Sequence, residues 1–255
     1  MTIRRRELPP REPPPQYIVF DLDGTLCPHG RSVSENTASM VRSMRMAHGR
    51  CQVHLCTAST VGRTRPRILE LLKDGILDRI WCGHGTSVLD GNGEFIERRV
   101  RRPLPQNLYD DLCGFRNASL APKGTVPLAG DGSCYSFSIL GKRFTPDQRK
   151  AYVEFESEAR ERDHIIDILS HRYPLWNFYL GGQTGIDIVP FGYGKERLIE
   201  ELLSRTDRLT YFGDDYGSRG GDERVKLLLE KESRMWKLDT LKFVPIDVYN
   251  MRSPA

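Results

Sequence analysis

The apolar positions in the first third of the chain alternate between two spacings. Strand-length runs rich in apolar and β-branched residues occur at 17–20, 51–57 and 79–82. Between these runs, apolar residues recur at helical spacing over about 34–48 and about 64–74. Strands that alternate with helices in this way predict an α/β fold, in which helices cover both faces of a parallel sheet.

The pattern changes after Gly85. The segments that follow are shorter and contain frequent glycines, as expected of strands joined by tight turns. Helical spacing returns only near 105–115 and 146–163. We therefore expect residues 87–185 to form a second domain, a mostly antiparallel α+β insert.

The pattern of the first domain resumes after this insert. "YGKERLIEELLSR" predicts a helix with apolar residues at 198, 199, 202 and 203, and "RLTYFGDD" predicts another strand. The core domain is thus expected to comprise 17–86 and 186–255. Residues 1–16 are basic, contain five prolines and show no apolar period, so we expect a disordered arm.

Composition and charge narrow the class of protein. The formal charge of +4 arises largely in clusters at 4–6 and 98–103, so it gives little support to nucleic-acid binding. No run approaches the roughly 18 apolar residues of a membrane span, and the N-terminus lacks the apolar segment of a signal peptide. We expect a cytoplasmic protein that does not bind membranes. The six cysteines form no CxxC pair, which favours free thiols.

The segment "YIVFDLDGTL" at 17–26 places two carboxylates after a buried strand. Ligands of open parallel sheets collect at the carboxyl ends of strands, so Asp21 is expected at the mouth of the sheet. Asp23 follows in a turn made tight by Gly24. A carboxylate in the position of Asp21 can attack phosphorus while a second carboxyl transfers protons. Taken alone, the motif is equally compatible with a simple Asx-type turn.

Two further segments supply groups that suit a phosphate. "CTAST" ends the second strand with hydroxyls, of which Ser59 is the expected phosphate contact; a helix N-cap is the alternative. Lys195 lies at a helix start, where a positive charge is unfavourable unless it faces an anion. The alternative for Lys195 is a solvated surface position.

Acidic residues also follow the last predicted strand. "YFGDD" offers Asp214, with Asp215 beside it, as hard oxygen ligands for Mg²⁺. The nearby "GGDE" adds Asp222 and Glu223. Whether Asp215, Asp222 or Glu223 joins a metal site stays open at this point.

The four motifs, in this order, resemble the haloacid dehalogenase superfamily of phosphotransferases. The runs "GGQTGIDIVPFGYGKERLI" and "YFGDDYGSRGGDERV" look like the eukaryotic-type phosphomannomutase branch of that superfamily. The resemblance covers about 17–248. It implies a Rossmann-like core, an inserted α+β cap domain and Mg²⁺ as cofactor.

The resemblance also implies roles for individual residues. Asp21 would be nucleophile and metal ligand, and Asp23 the acid/base and a metal ligand through its backbone carbonyl. Asp214 would be a metal ligand, and Lys195 would clamp the transferring phosphate. The phosphate contacts would be Ser59, Gly24 and Lys195, and Asp187 would match a cap acid that contacts the substrate.

The chain departs from the mutase pattern in the cap. Similar mutases hold a second phosphate with arginines, whose guanidinium groups bind phosphate through two parallel bonds. Three cap segments differ. This chain has Lys-Gly-Thr at 123–125 where the family has Arg-Gly-Thr, and Gly-Asp-Gly at 130–132 where it has Arg-Asn-Gly. It has Leu-Gly-Lys at 140–142 where the family has Ile-Gly-Arg, so Lys123 and Lys142 replace arginines, and Arg143 lies one step away.

We therefore predict a Mg²⁺-dependent phosphatase that acts through an aspartyl phosphate on a small phosphorylated metabolite such as a sugar phosphate. Lys123, Lys142, Arg143 and Asp187 are the expected cap contacts to that substrate. One alternative is a phosphomannomutase that interconverts mannose 1-phosphate and mannose 6-phosphate. Another is an inactive binding protein that uses the N-terminal arm. A homodimer is left open, since similar mutases often pair through their caps.

Overall fold

The computed structural model describes residues 15–214, 220–236 and 241–245. Asp215 and nearly all of the expected N-terminal arm lie outside these ranges. Gln16, which was assigned to the arm, is the first residue of a strand. The strands of the described residues are β1 Gln16–Phe20, β2 Cys51–Cys56, β3 Arg79–Cys82, β4 Ser87–Asp90, β5 Phe95–Arg98, β6 Leu128–Gly130, β7 Tyr135–Phe137, β8 Trp176–Gly181, β9 Gly185–Pro190, β10 Leu209–Gly213 and β11 Leu241–Pro245.

Helices surround these strands. The α-helices are α1 Glu35–Ala47, α2 Val61–Thr64, α3 Leu69–Leu72, α4 Gln106–Ala118, α5 Pro146–Ala159, α6 Glu161–Arg172, α7 Lys195–Leu203 and α8 Glu223–Trp236. Of these, α1, α4 and α7 agree with the sequence expectation, two expected helices are interrupted, and α8 was not predicted. The helix expected at 64–74 is broken by a 3-10 turn, Arg65–Arg67, with Pro66 in its first positions. The helix expected at 146–163 ends at Arg160, whose φ of 47° is left-handed, and α6 begins there in a new direction.

The larger sheet has the strand order β11-β10-β1-β2-β3-β4-β5. Its first five strands are mutually parallel, as the alternating pattern predicts. Successive side chains of β1 pack on opposite faces. Ile18 and Phe20 join a cluster with Val41 and Leu71, whereas Val19 joins α7 and α8 residues. Helices therefore bury both faces, which confirms the α/β fold class with a Rossmann-like core.

The sheet pairing differs from the expected domain boundaries at both ends of the insert. β4, expected in the cap, pairs antiparallel with β3, and β5, also expected in the cap, pairs antiparallel with β4 at the edge of the larger sheet. The reversal occurs at three consecutive left-handed residues, Gly83, His84 and Gly85, which turn the chain back along β3. β9, part of which was assigned to the core, pairs with β7 and β8.

The smaller sheet is antiparallel, with the order β6-β7-β9-β8. Its apolar face packs on α4, α5 and α6 in a second core cluster that includes Leu112, Tyr152, Leu169 and Ile188. Because side chains alternate along β9, the neighbouring Asp187 lies on the opposite face. That face is left for the site. Among the described residues, no helix is long and apolar enough to cross a membrane.

Candidate functional site

A cavity of about 560 Å³ lies between the carboxyl end of the larger sheet and the polar face of the smaller one. Asp21, Ser59 and Lys195 line it from the larger sheet and its connections, and Lys142 and Asp187 line it from the smaller sheet. The sequence argument placed the site at the ends of the parallel strands, and the cavity lies there.

Asp21 lies directly after β1 and is almost fully buried. Its backbone N–H donates to the Phe212 carbonyl (2.9 Å), which aligns the end of β1 with the end of β10. Its Oδ1 accepts from Lys195 Nζ at 2.7 Å. The register of two adjacent parallel strands thus brings the expected nucleophile beside the acids that follow β10.

Lys195 is the first residue of α7, as predicted, and is buried. Its Nζ also donates to Asp222 Oδ1 (2.7 Å), which in turn accepts from the Tyr211 hydroxyl (2.6 Å). Burial alone would lower the pKa of Lys195, but the charges of Asp21 and Asp222 raise it well above its usual value. Lys195 is therefore a buried cation between two carboxylates, which explains how a lysine is tolerated at a helix start.

The negative charges of the carboxylates around Lys195 outnumber its single positive charge. Asp21, Asp214 and Asp222 each offer one oxygen within 4.8 Å of the others. Burial raises the pKa of Asp21 to about 8, and Asp222 and Asp214 contribute to the rise while Lys195 opposes it. Gly24 permits this crowding, since a Cβ there would lie 1.8 Å from Asp214 Oδ2. A cluster of hard oxygens with excess negative charge fits a divalent cation such as Mg²⁺.

Gly24 was also expected to contact phosphate. Its N–H instead donates to the Cys27 carbonyl (2.8 Å), inside the turn that follows Asp23. Its φ of 87° is left-handed, and its missing side chain is what lets Asp214 approach. Of the two acids that the sequence left open besides Asp215, Asp222 belongs to the oxygen cluster, whereas Glu223 begins α8 and is not part of that cluster.

Asp23 lies at the cavity wall, held by several donors. Arg67 contacts it with both terminal nitrogens, Nη1 to Oδ2 at 3.0 Å and Nη2 to Oδ1 at 2.5 Å. The N–H of Gly30 donates to Oδ1 (3.0 Å), and Ser59 Oγ lies 3.4 Å from Oδ2. Burial alone would raise the pKa of Asp23, but the His29 and Arg67 contacts and the Gly30 N–H lower it far below its usual value.

The structure brings only part of the expected cap set to the cavity. Lys142 lines it, with Nζ 3.2 Å from Ser136 Oγ. Lys123 and Arg143 are described residues that are not among those that line the cavity. Lys123 Nζ donates instead to the Ser119 carbonyl (2.6 Å), at the end of α4. The pattern of basic residues could not show this, because the turns that orient each side chain follow from the folded cap.

Asp131 adds a negative charge to the same wall of the cavity. Burial would raise the pKa of its carboxyl, but hydrogen bonds from the Ser133 hydroxyl and backbone N–H lower it below its usual value. Asp131 is therefore ionised near neutral pH. A carboxylate here disfavours a second phosphate on this side of the cavity.

Three residues of the site were not singled out from the sequence: His29 and Arg63, which line the cavity, and Arg67, which contacts Asp23. Arg67 is far from Asp23 along the chain, and nothing in its local pattern distinguishes it from the arginines nearby. Burial lowers the pKa of Lys142, and the positive charge of Arg63 lowers it further, so two cations approach each other here. His84 also lines the cavity, whereas its place between two glycines in the sequence favours a local hydrogen-bonding role.

His84 links the two sheets. Its ring stacks on Tyr179 of β8, with centroids 4.7 Å apart, and its Nε2 lies 3.4 Å from Asp187 Oδ2. Arg224 of α8 lies on the other side of the Tyr179 ring, 4.5 Å from its centroid. The orientation of Asp187 toward the cavity therefore depends on a residue of the larger sheet.

Comparisons with known proteins agree with this geometry. The family model described as eukaryotic phosphomannomutase matches residues 131–228. A phosphomannomutase of Saccharomyces cerevisiae is 23% identical over 227 residues, which cover 84% of this chain and 86% of the yeast protein.

Two solved structures share the fold. The C-terminal domain of a Candida albicans trehalose-6-phosphate phosphatase has a TM-score of 0.60 at 14% identity, covering 92% of this chain and 80% of that one. A haloacid dehalogenase-like hydrolase from Bacteroides thetaiotaomicron has a TM-score of 0.56 at 14% identity, covering 92% and 96%.

The fold is that of haloacid dehalogenase-like structures, which agrees with the resemblance of the motifs to that superfamily. Its sequence is similar to phosphomannomutases over most of both chains, which supports the phosphomannomutase-like resemblance of the motifs.

Proposed function

We propose that this protein is a Mg²⁺-dependent phosphatase that hydrolyses a small phosphorylated metabolite, such as a sugar phosphate, through an aspartyl phosphate on Asp21. The observation that carries the proposal is the position of Asp21, which lines the cavity next to the buried cation of Lys195 and the oxygens of Asp214 and Asp222. The similarity to phosphomannomutases and the fold shared with a phosphatase support a phosphotransferase activity. The roles of the single residues are our proposal.

In the first step, a carboxylate oxygen of Asp21 attacks the phosphorus, and the bond from phosphorus to the leaving oxygen breaks. Because its contacts hold the pKa of Asp23 low, this carboxylate must take up a proton in the substrate complex; it then gives that proton to the leaving oxygen, so that a neutral alcohol departs. Lys195 holds the negative charge of the transferring group from one side, and the Ser59 hydroxyl can donate to it from the next strand connection.

In the second step, water attacks the phosphorus of the aspartyl phosphate. Asp23 takes a proton from the water, and the bond between phosphorus and Asp21 breaks, which releases inorganic phosphate and restores the carboxylate. A magnesium ion held by Asp21, Asp214 and the Asp23 carbonyl would neutralise charge on the phosphoryl oxygens. The acidic cluster fits that ion because its negative charges exceed the single positive charge of Lys195.

The choice of hydrolysis over isomerisation rests on the opposite wall. A mutase must hold a second phosphate there, but that wall carries the ionised Asp131, and Lys123 donates to backbone carbonyls away from the cavity. Lys142 and Asp187 line the cavity and remain as contacts to the non-reacting end of the substrate, where they would determine selectivity.

A phosphomannomutase is the second candidate, favoured by the similarity to phosphomannomutases and by Arg63 and Lys142, two cations that line the same part of the cavity. An inactive binding protein on the same fold is the third. It is opposed by the intact set of Asp21, Asp23, Lys195 and Asp214.

A panel assay separates the three. The purified enzyme with Mg²⁺ is incubated with sugar phosphates, nucleotides and bisphosphates while phosphate release is measured. For mannose 1-phosphate and glucose 1-phosphate, 6-phosphate formation is followed with and without the corresponding 1,6-bisphosphate. We expect phosphate release to account for the substrate consumed. Bisphosphate-stimulated 6-phosphate formation that outpaces hydrolysis would establish the mutase, and inertness toward the whole panel would favour the binding protein.

A further inference from the structure

Arg67 is a buried arginine whose guanidinium lies below the cavity wall. It ends the 3-10 turn Arg65–Arg67 and is 9% exposed. Its Nε donates to the Arg31 carbonyl (2.8 Å), and its own carbonyl accepts from the N–H of Val33 (2.8 Å). Both its side chain and its backbone are therefore fixed to the 31–33 segment, so Arg67 is a rigid element.

The two terminal nitrogens of Arg67 meet the two oxygens of Asp23, at 3.0 and 2.5 Å. Such a two-point contact fixes the plane of the carboxylate as well as its position. A lysine supplies the charge but not the plane. Without Arg67, Asp23 would keep the Gly30 N–H at 3.0 Å and the longer contacts to Ser59 and His29, which leave other rotamers open to its carboxylate.

We propose that Arg67 is a positioning residue for Asp23, which holds the carboxylate at the place from which it transfers protons to and from the reacting oxygens. This inference rests on the proposed function, since it presupposes that Asp23 is the acid/base. Proton transfer is sensitive to placement, and a displacement of about 1 Å costs roughly 10²-fold in rate.

The leaving group offers a readout that loss of structure does not change. An alkyl phosphate releases an alkoxide, which needs a proton, whereas 4-nitrophenyl phosphate releases a phenolate that departs unprotonated. A misplaced Asp23 should therefore slow the alkyl ester selectively. A partly unfolded or generally damaged enzyme should lose both activities in the same proportion.

The experiment measures kcat and KM for glycerol 2-phosphate and for 4-nitrophenyl phosphate, with Mg²⁺, in the wild type and four variants. Asp23→Asn sets the pattern that loss of the acid produces. Arg67→Met keeps the length of the side chain without its charge or fork, and Arg67→Lys keeps the charge alone. Arg65→Met is the matched control, since Arg65 is in the same turn but pairs with Glu94 at the surface.

For Arg67→Met we expect kcat for the alkyl ester to fall about 30-fold or more while kcat for the aryl ester falls less than about 3-fold, with KM little changed. The ratio of kcat for the alkyl ester to kcat for the aryl ester should therefore fall, as is expected of Asp23→Asn. Arg67→Lys should fall between wild type and Arg67→Met, and Arg65→Met should match wild type for both esters.

Equal losses for the two esters, or no loss, would overturn the inference and leave the proposed function intact. If Arg67→Met does not fold, the Arg67→Lys variant decides through its ratio of kcat for the alkyl ester to kcat for the aryl ester. A ratio below that of the wild type supports positioning, and an unchanged ratio refutes it. Wild-type inactivity toward both esters would overturn the proposed function and the inference together. A lack of selectivity in Asp23→Asn would remove the acid role of Asp23, and the inference with it, while leaving Asp21 as nucleophile.

Discussion

The two walls of the cavity are built in different ways. On the side of the larger sheet, Asp21, Lys195 and Asp222 form a continuous buried network, each 4% exposed or less. On the side of the smaller sheet, Lys142 and Asp187 each make a single polar side-chain contact that the structure resolves, to Ser136 and His84.

The difference follows from backbone geometry. Parallel strands of the larger sheet end at one level, so residues after β1 and β10 meet at fixed positions. The polar wall of the smaller sheet comes partly from β9, which carries Asp187, and partly from loops that carry Asp131 and Lys142 and whose side-chain directions vary with loop conformation. Burial makes the first network costly to disturb and strengthens its electrostatics, whereas the second wall can exchange residues without loss of the fold. We therefore expect chemistry to depend on the first wall and substrate choice on the second.

The largest effect is expected for Asp21→Asn. An amide is nearly isosteric but is a poor nucleophile, so phosphate release should fall roughly 10⁴-fold or more. Lys195 keeps Asp222 as a charged partner in this variant, so the fold should be retained. Turnover of sugar phosphates and the thermal midpoint are measured together. Turnover within about tenfold of wild type would exclude Asp21 as nucleophile.

The next effect concerns the cation. A chelator should abolish phosphate release, and added Mg²⁺ should raise the thermal midpoint of the wild type because the ion binds the folded state alone. Asp214→Asn removes one oxygen of the cluster, so its midpoint should respond much less to Mg²⁺. The control is Lys226→Gln, which removes one positive charge from α8 outside the acidic cluster. An equal Mg²⁺ response in Asp214→Asn would place the ion elsewhere.

A third prediction tests the interior of the larger sheet away from the cavity. His54 of β2 is buried between Tyr17 and Trp81, and burial and the charges of Arg79, Arg45 and Arg205 lower its pKa to about 3. Below pH 6.5 His54 becomes protonated in the unfolded chain but stays neutral in the folded protein. The free energy of unfolding therefore decreases as the pH falls from 6.5 toward 3.

At pH 5 this loss should be about 2 kcal/mol relative to pH 7.5. Denaturant unfolding at the two pH values measures it. His54→Phe keeps the ring stack and should lose about 2 kcal/mol less on acidification than the wild type does. A wild type and variant with the same pH dependence would show that His54 is protonated in the folded protein.

The smallest effect is expected at the second wall. Lys142→Met should raise KM for the preferred substrate about 10-fold with little change in kcat, since we propose that Lys142 contacts the non-reacting end of the substrate. Lys123→Met is the matched control and should leave KM unchanged, because Lys123 donates to carbonyls at the end of α4. The reverse order of effects would mean that the cap residues rearrange on substrate binding.

Motifs that depend on sheet geometry were predictable. A buried strand followed by acids places those acids at the mouth of a parallel sheet, so Asp21 and Asp214 could be paired from the sequence before any distance was known. The placement of Lys195 at a helix start near an anion was also correct. Each of these inferences needs only strand order and helix start, which local patterns supply.

Contacts that depend on loop conformation were not predictable. β4 and β5 were assigned to the insert because their sequence is typical of short antiparallel strands, and only the left-handed turn at 83–85 returns them to the larger sheet. Nothing in the sequence favoured one of Lys123, Lys142 and Arg143 over the others as a cap contact. In the folded cap, Lys142 lines the cavity and the other two do not.

By itself, the sequence determined the class of fold, the order of the motifs and the residues at the strand ends, because periodicity and strand termini are local properties that fix positions in a parallel sheet. The tertiary structure alone decided that Arg67 holds Asp23, that Asp222 joins the acidic cluster and that Asp131 faces the cavity. These are contacts between side chains far apart or in turns, and their geometry is set by packing and charge pairing in the folded chain, which no local pattern encodes.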